Sequence, residues 1–553
     1  MKSMAKLLAL VFALSMLAPA ALGEELINTE GTYPIVNEPY EVSIGFIASS
    51  DGIDLDQFYF TAYMDYLTGL DIEWTSIDAS ARGERLPLMM ATGDFPDAMI
   101  AVGFYVNDIM RYGMQEGLLR PVNDLLQYMP NFKAITDANP QILQDMTCLD
   151  GNYYGFPRLA AELGFDIRFW YNQQWLERLD LAVPTTLDEL YNVLVAFRDE
   201  DADGDGETDD EIPFSGSWDN GYNERAPIMT AMGFNSSGNY LGINFLAEQP
   251  SIGYFPYTEQ YYDYLVYMKK LFDEGLMDPD MFTQSEVQYN AKTLEGNVGF
   301  GGGAANFTMN TDPDVYTGYI PMTSEVCDLP LYPQLTSPVT SIAMIINSEV
   351  SDEKAIVLAK LADAFYDPRT SIETCEGIDL GSELDFFGWG NVYNKEEGIV
   401  EYSNKPEDVD DWTFLTRYMA PYDQPGYNTA SANLIPYAID HPDTALGQLY
   451  ADYGYVYEDW NLQYQEQCQP YANYVVPNFY MEEEDLERIT ELSTPLDDYA
   501  RSMEAQFITG AISLEEEFDA FRAELENLGV QEYIDIYAKY WDPYYSALNP
   551  DAQ

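Results

Sequence analysis

The stretch Asp201–Pro213, DADGDGETDDEIP, constrains this chain more than any other. It sets carboxylates at Asp201, Asp203 and Asp205, two residues apart, adds Asp209, and places Gly206 directly after the third. Carboxylates this dense repel one another unless a cation lies among them. In a calcium-binding loop, positions one, three and five give side-chain oxygens and position seven a backbone carbonyl. A glycine at position six makes the sharp turn. Here these are Asp201, Asp203, Asp205, the carbonyl of Glu207, and Gly206. Position twelve, where an EF-hand carries a bidentate glutamate, is Ile212, so the closing carboxylate comes earlier, from Asp209, Asp210 or Glu211. The expected occupant is a structural Ca2+. The competing reading, in a chain with 94 acidic residues, is a solvated acidic turn.

The surrounding periodicity predicts an α/β chain. Pro184, Thr185 and Thr186 precede an acidic first turn (Asp188, Glu189) and an apolar stripe of Leu187, Leu190, Leu194 and Phe197. These are the start signals of a helix that feeds the loop. Nearer the N-terminus, Glu41 to Ala48 alternates as a strand. A helix near Phe58 to Leu67, a strand at Asp71 to Ile77, a helix ending at Gly93 and a strand at Ala98 to Val102 follow. This β-α-β-α-β order predicts a mostly parallel sheet. Further on, Tyr261 to Phe282 is helical with Gly275 as its C-cap. Ser337 to Asn347 reads as a strand and Ser351 to Tyr366 as a helix. In the C-terminal region one helix is expected to start at Thr494-Pro495 and end at Phe507 to Gly510. Ser513 caps the next, and a last one reaches about Tyr540. Residues 394–480 lack a clear period and yield no elements.

Lys2 and Lys6, an apolar run from Leu7 to Leu17, and a small-residue exit at Ala21-Leu22-Gly23 make residues 1–23 a signal peptide. No cysteine follows that could carry a lipid, so the expected mature chain is exported, secreted or periplasmic, and soluble. The formal net charge is −69, which makes nucleic acid and anionic membranes poor partners. Aromatics reach 14%, too many for a disordered acidic chain. The four cysteines, Cys148, Cys327, Cys375 and Cys468, allow three full pairings, among which spacing does not choose.

Several segments together resemble one family. Trp170 to Gly206, the ending Asp210-Glu211-Ile212-Pro213, Met89-Met90-Ala91-Thr92-Gly93-Asp94-Phe95-Pro96-Asp97, and Glu274-Gly275-Leu276-Met277-Asp278-Pro279 carry the likeness, with Phe507-Ile508-Thr509-Gly510 at the C-terminal end. They resemble the extracellular solute-binding proteins of ABC importers, in the oligosaccharide-binding branch with a calcium loop. The resemblance implies a two-lobed periplasmic-binding-protein-like fold of type II, with mixed sheets flanked by helices and a ligand cleft between the lobes. The division it suggests is a linker at 24–40, one lobe from 41–155 and 310–365, and another from 156–309 and 366–548. It implies an exported monomer that captures an oligosaccharide and delivers it to an ABC permease, without catalysis.

The candidate ligand-binding residues are aromatics suited to sugar faces, and glycines. Tyr153 and Tyr154 sit in DGNYYGFP, Trp170 follows, Trp218 and Tyr222 lie in a loop-like stretch after the acidic loop, and Trp389 stands between two glycines. Gly302 and Gly303 end a glycine-rich run where a ligand could approach the backbone closely. That run contains Gly299-x-Gly301-x-x-Ala304, only formally close to a dinucleotide fingerprint. The only histidine, His441, has no Gly-x-Ser-x-Gly elbow to serve. The rival readings are a secreted glycoside hydrolase, which needs only two carboxylates roughly 5 to 10 Å apart, and a binder of peptides or other small solutes.

Overall fold

A computed structural model describes residues 27–28, 33–160, 169–207, 210–218, 225–236, 238–303, 309–310, 315–334, 337–376, 387–395, 399–407, 409, 411–427, 438–453 and 467–549. The chain forms two compact units, each from two segments: unit 1 from Met1–Glu162 and Ser337–Glu458, unit 2 from Leu163–Thr336 and Asp459–Gln553.

The alternating segment Glu41–Ile47 is the parallel centre of unit 1, pairing with Asp71–Ile77 on one side and Ala98–Phe104 on the other. The strand Val339–Ile346 then runs antiparallel beside Ala98–Phe104 and Phe156–Leu159, and the short Gly426–Tyr427 closes a six-stranded sheet. Ile44, Phe46, Ile100, Met344 and Ile345 are buried. Helices cover these apolar residues: Phe60 stacks on Phe365 with ring centroids 5.9 Å apart, and Phe46 on Phe58 at 5.4 Å. Asp363, on the helix Asp352–Ala364, accepts from the backbone amides of Asn131 and Phe132 and so caps the start of the helix Pro130–Ala138.

Unit 2 has a four-stranded mixed sheet in the order Tyr316–Gly318, Phe169–Asn172, Val298–Gly302, Ile212–Phe214. The helices Leu187–Asp199 and Tyr261–Asp273 and the C-terminal helices bury Leu190, Leu194, Phe197, Leu265, Leu496 and Phe521 in its core. Gly275 (φ +69°) ends the Tyr261–Asp273 helix as expected. Thr494 and Pro495 do not start a helix. They lie inside one 26-residue helix, Glu483–Ile508. A proline there removes one backbone bond, yet Leu492, Leu496, Ala500 and Phe507 on its buried stripe hold the helix through it.

The units divide the chain differently from the expected lobes. Residues 310–336 join unit 2, because Tyr316–Gly318 pairs with Phe169–Asn172 and Tyr332–Gln334 with Ala472–Tyr474. Residues 366–458 join unit 1, where the Tyr366 hydroxyl donates to the Pro157 carbonyl and Tyr63 donates to Glu373. Cys148, Cys327 and Cys468 are buried thiols without a disulfide; the Cys375 side chain lies outside the described residues.

Burial pushes the carboxyls of Asp65, Asp145 and Asp363 up to about 6, all within unit 1. The native chain therefore keeps protons that the unfolded chain has released between about pH 4 and pH 6. These groups favour folding at the acidic end of that window and withdraw this stabilisation as the pH rises through it. A melting temperature that climbs as the pH is lowered from about 6 to about 4, with a shallower climb for Asp145→Asn, is the expected result. A profile unchanged by that substitution counts against the assignment.

Candidate functional site

The acidic loop follows directly from the helix that precedes it. The Thr186 hydroxyl accepts the Glu189 amide at 3.1 Å and starts the helix Leu187–Asp199. Beyond its end the chain coils around its own carboxylates. Asp201 Oδ1 accepts the Gly204 amide at 2.8 Å, Asp203 Oδ1 the Asp205 amide at 2.9 Å, and Asp205 Oδ1 the Glu207 amide at 2.8 Å. Left-handed backbone at Gly204 (φ +84°) and Gly206 (φ +98°) makes the coil possible. Ligand oxygens of Asp201, Asp203 and Asp205 all lie within 4.8 Å of one another.

Glu211 tethers the start of this coil, beside the three-aspartate cluster but not part of it. Its Oε1 accepts the Ala202 amide at 2.9 Å, while its Oε2 is buried without a hydrogen-bond partner. An unpartnered buried carboxylate oxygen costs free energy unless a cation meets it. A set of carboxylate and carbonyl oxygens wrapped in a flexible loop fits a hard divalent cation of calcium's size. Of the remaining expected ligands, Glu207 sits in the coil, Asp210 is exposed, and Asp209 lies outside the described residues.

The structure separates the candidate ligand residues by burial. Tyr154 is 6% exposed, its ring against Gly113 and its hydroxyl donating to Asp150 at 2.5 Å. Trp170 is 2% exposed and its indole donates to the Gly303 carbonyl at 3.0 Å. Trp218 is 4% exposed, packed on Phe282 at 4.6 Å and under the Arg225 guanidinium at 5.0 Å, with its indole N–H unpartnered. These three rings line the interior of their units, so none offers an open face for stacking here. Tyr153 and Trp389 are half-buried. Trp389 packs edge-on against Tyr418 and Phe414. Tyr222 lies outside the described residues. The glycine run has a packing reason: a Cβ at Gly299 would strike the Phe197 ring, and one at Gly301 the Tyr289 hydroxyl. That hydroxyl donates to the Gly302 carbonyl at 2.7 Å.

Two constellations are not evident from the sequence. In unit 2, the fully buried Glu504 accepts from Arg225 at 3.1 Å, from the Tyr264 hydroxyl at 2.6 Å and from the Tyr240 hydroxyl. Burial first, and the Glu504 charge second, push both phenols well above the ordinary tyrosine range, so they stay protonated donors. A cavity of about 290 Å³ beside it is lined by Arg225, Tyr240, Asp497, Arg501 and Tyr533, and by none of the expected ligand residues. In unit 1, Trp412 is 52% exposed and stands edge-on to Tyr422 at 4.7 Å. It falls in the stretch where the sequence shows no period.

A family model described as bacterial extracellular solute-binding protein matches residues 54–365. The fructooligosaccharide ABC transporter substrate-binding protein FusA of Streptococcus pneumoniae serotype 4 (strain ATCC BAA-334 / TIGR4) is 28% identical over 509 residues, covering 87% of this chain and 86% of FusA. The solved structure of S. pneumoniae FusA in complex with kestose is similar to this chain at a TM-score of 0.69 and 22% identity, covering 92% of this chain and all of that one. That of a FusA EF-hand mutant in complex with fructo-nystose is similar at a TM-score of 0.70 and 22% identity, with the same coverage.

Proposed function

The chain belongs to the bacterial extracellular solute-binding proteins, and from that membership we propose that it captures an oligosaccharide and delivers it to the permease of an ABC importer. The single observation that carries this reading is the 28% identity to a fructooligosaccharide-binding relative over 87% of the chain. The family is one of binding proteins, so the hydrolase alternative is set aside. Among the described residues, no helix is long and apolar enough to cross a membrane. In this reading the protein acts as a monomer outside the cytoplasmic membrane, and residues 1–23 are its signal peptide, so that secreted material begins near Glu24.

Ca2+ belongs to the same reading. Asp201, Asp203, Asp205, the Glu207 carbonyl and Glu211 would hold it, with Asp209 or Asp210 adding an oxygen. The orphan oxygen of Glu211 and the clustered aspartates support this. So does a relative whose solved form carries an EF-hand mutation. When bound, the ion neutralises the loop and fixes its shape. Tyr153 and Trp389 are the expected sugar contacts with open surface. Tyr154, Trp170 and Trp218 are interior rings of their own units, and Gly302, Gly303 and Tyr222 stay in the candidate set.

The test is a melting and calorimetry panel of kestose, nystose and short oligomers of mannose, xylose, glucose and galacturonate. At least one is expected to raise the melting temperature and to bind at micromolar concentration or tighter. A free-ligand concentration of about a hundred times the dissociation constant should stabilise the bound protein by about 2.7 kcal/mol. No response to any of them, with a peptide retained in native mass spectrometry, overturns the carbohydrate reading.

A further inference from the structure

Trp412 is the most exposed tryptophan ring among the named aromatics of unit 1, and its surroundings hold it in place. Its partner Tyr422 has a left-handed backbone (φ +70°), a conformation that costs a residue with a side chain about 1–3 kcal/mol and persists only where its neighbours impose it. The neighbours here are specific. The Asp423 amide donates back to the Pro421 carbonyl at 2.9 Å, making a tight turn with Tyr422 at its tip. The Arg158 guanidinium lies over the Tyr422 ring at 5.0 Å and is held by Asp423 at 2.7 Å. Phe414, two residues after Trp412, is buried against Trp389, Tyr402 and Tyr418. That cluster anchors the short helix carrying Trp412, while the ring contact of Trp412 itself is with Tyr422.

The position in the sheet points the same way. Ser49 and Ser50 come two and three residues after the end of the parallel strand Glu41–Ile47. Ser49 donates to the Pro421 carbonyl at 2.8 Å. Thr416 donates to the Trp412 carbonyl at 2.9 Å, so its contact with Ser50 is one in which Ser50 donates. The Trp412–Tyr422 segment is therefore docked at the carboxyl end of a parallel strand, the end at which open α/β sheets receive ligands. Arg158 lies on the strand Phe156–Leu159, shortly before the chain leaves unit 1.

We propose that Trp412, propped by Tyr422 and Arg158, is a stacking platform for one sugar ring of the bound oligosaccharide. The C–H face of the ring lies on the indole, and the exposed side of the Asp423 carboxylate, together with the Arg158 guanidinium, is placed to meet its hydroxyls. Trp412 touches the ligand; Tyr422 and Arg158 are positioning residues. This rests on the carbohydrate reading above.

The test uses the full-length mature protein on an array carrying kestose, nystose and oligomers of mannose, xylose, glucose and galacturonate, followed by calorimetry on the best binder. Trp412→Ala is expected to weaken binding about tenfold or more, as truncation of an aromatic anchor does, with an unchanged melting temperature because the ring is half open to solvent. Trp412→Tyr, which keeps a ring, is expected to retain binding within about threefold. Wild-type affinity in Trp412→Ala overturns the platform while leaving the carbohydrate reading intact. A loss in Trp412→Tyr equal to that in Trp412→Ala also overturns it, since a ring face would then not be what binds. If the wild-type protein binds no glycan, the carbohydrate reading falls and the platform with it.

Discussion

Replacing Glu504 by alanine is expected to destabilise unit 2 by about 3–5 kcal/mol, the cost of leaving a buried charge without its partner. Glu504 is fully buried and answers Arg225, itself 5% exposed, together with the hydroxyls of Tyr240 and Tyr264. Removing the carboxylate strands the guanidinium away from water and leaves two phenolic hydroxyls without an acceptor. A loss of this size is a large share of the stability of an ordinary domain, about 5–15 kcal/mol. Chemical unfolding followed by tyrosine and tryptophan signals is the measurement. The double variant Arg225→Met with Glu504→Met should recover much of the loss, because it removes both charges and fills their volume. If Glu504→Ala unfolds within about 1 kcal/mol of wild type, the network is not holding the core, and this account is wrong.

Stripping divalent cations with a chelator is expected to lower the melting temperature, and added Ca2+ to restore it better than Mg2+. Magnesium demands a tight octahedron and keeps its waters, whereas the acidic coil offers a looser cage of oxygens. At about a hundredfold excess over its dissociation constant the ion contributes about 2.7 kcal/mol. Glu211→Gln separates the candidates for closing ligand. It preserves shape and a hydrogen-bond acceptor for the Ala202 amide but removes the charge beside the orphan oxygen. The variant should need at least tenfold more Ca2+ for the same protection. Asp210→Ala should need little more than wild type if Asp209 supplies the additional oxygen, and markedly more if Asp210 does. An unchanged melting curve after verified metal removal would leave the loop as a solvated turn.

What could be read from the sequence was local. The strand Glu41–Ile47, the helix Leu187–Asp199 with its Thr186 cap and the aspartate spacing of the loop are set by residues close in sequence, and they stand as read. The start assigned to Thr494-Pro495 failed because the local signal was outweighed by packing of Leu492 and Leu496 in the core. The glycine run ending at Gly302 and Gly303 reads as room for a ligand; at Gly299 and Gly301 the distant side chains of Phe197 and Tyr289 take up that room, and Gly302 and Gly303 stay candidates. Glu504 was hidden among many acidic residues. Its spacing of four from Ala500, and of four to Ile508, places it on an apolar stripe, a signal that was available. Trp412 and Tyr422 left no such trace: their short helix, π-turn and strained turn carry no period, and Arg158, far along the chain, lies over Tyr422.

The weave of the chain also sets an order of assembly. Arg225, Tyr240 and Tyr264 emerge from synthesis long before Glu504, and Leu492, Leu496 and Phe507 of the same core emerge late as well. Until the segment from Asp459 arrives, Arg225 lacks Glu504, and the buried charge network of unit 2 is incomplete. The final helices therefore complete that network only after nearly the whole chain has been made.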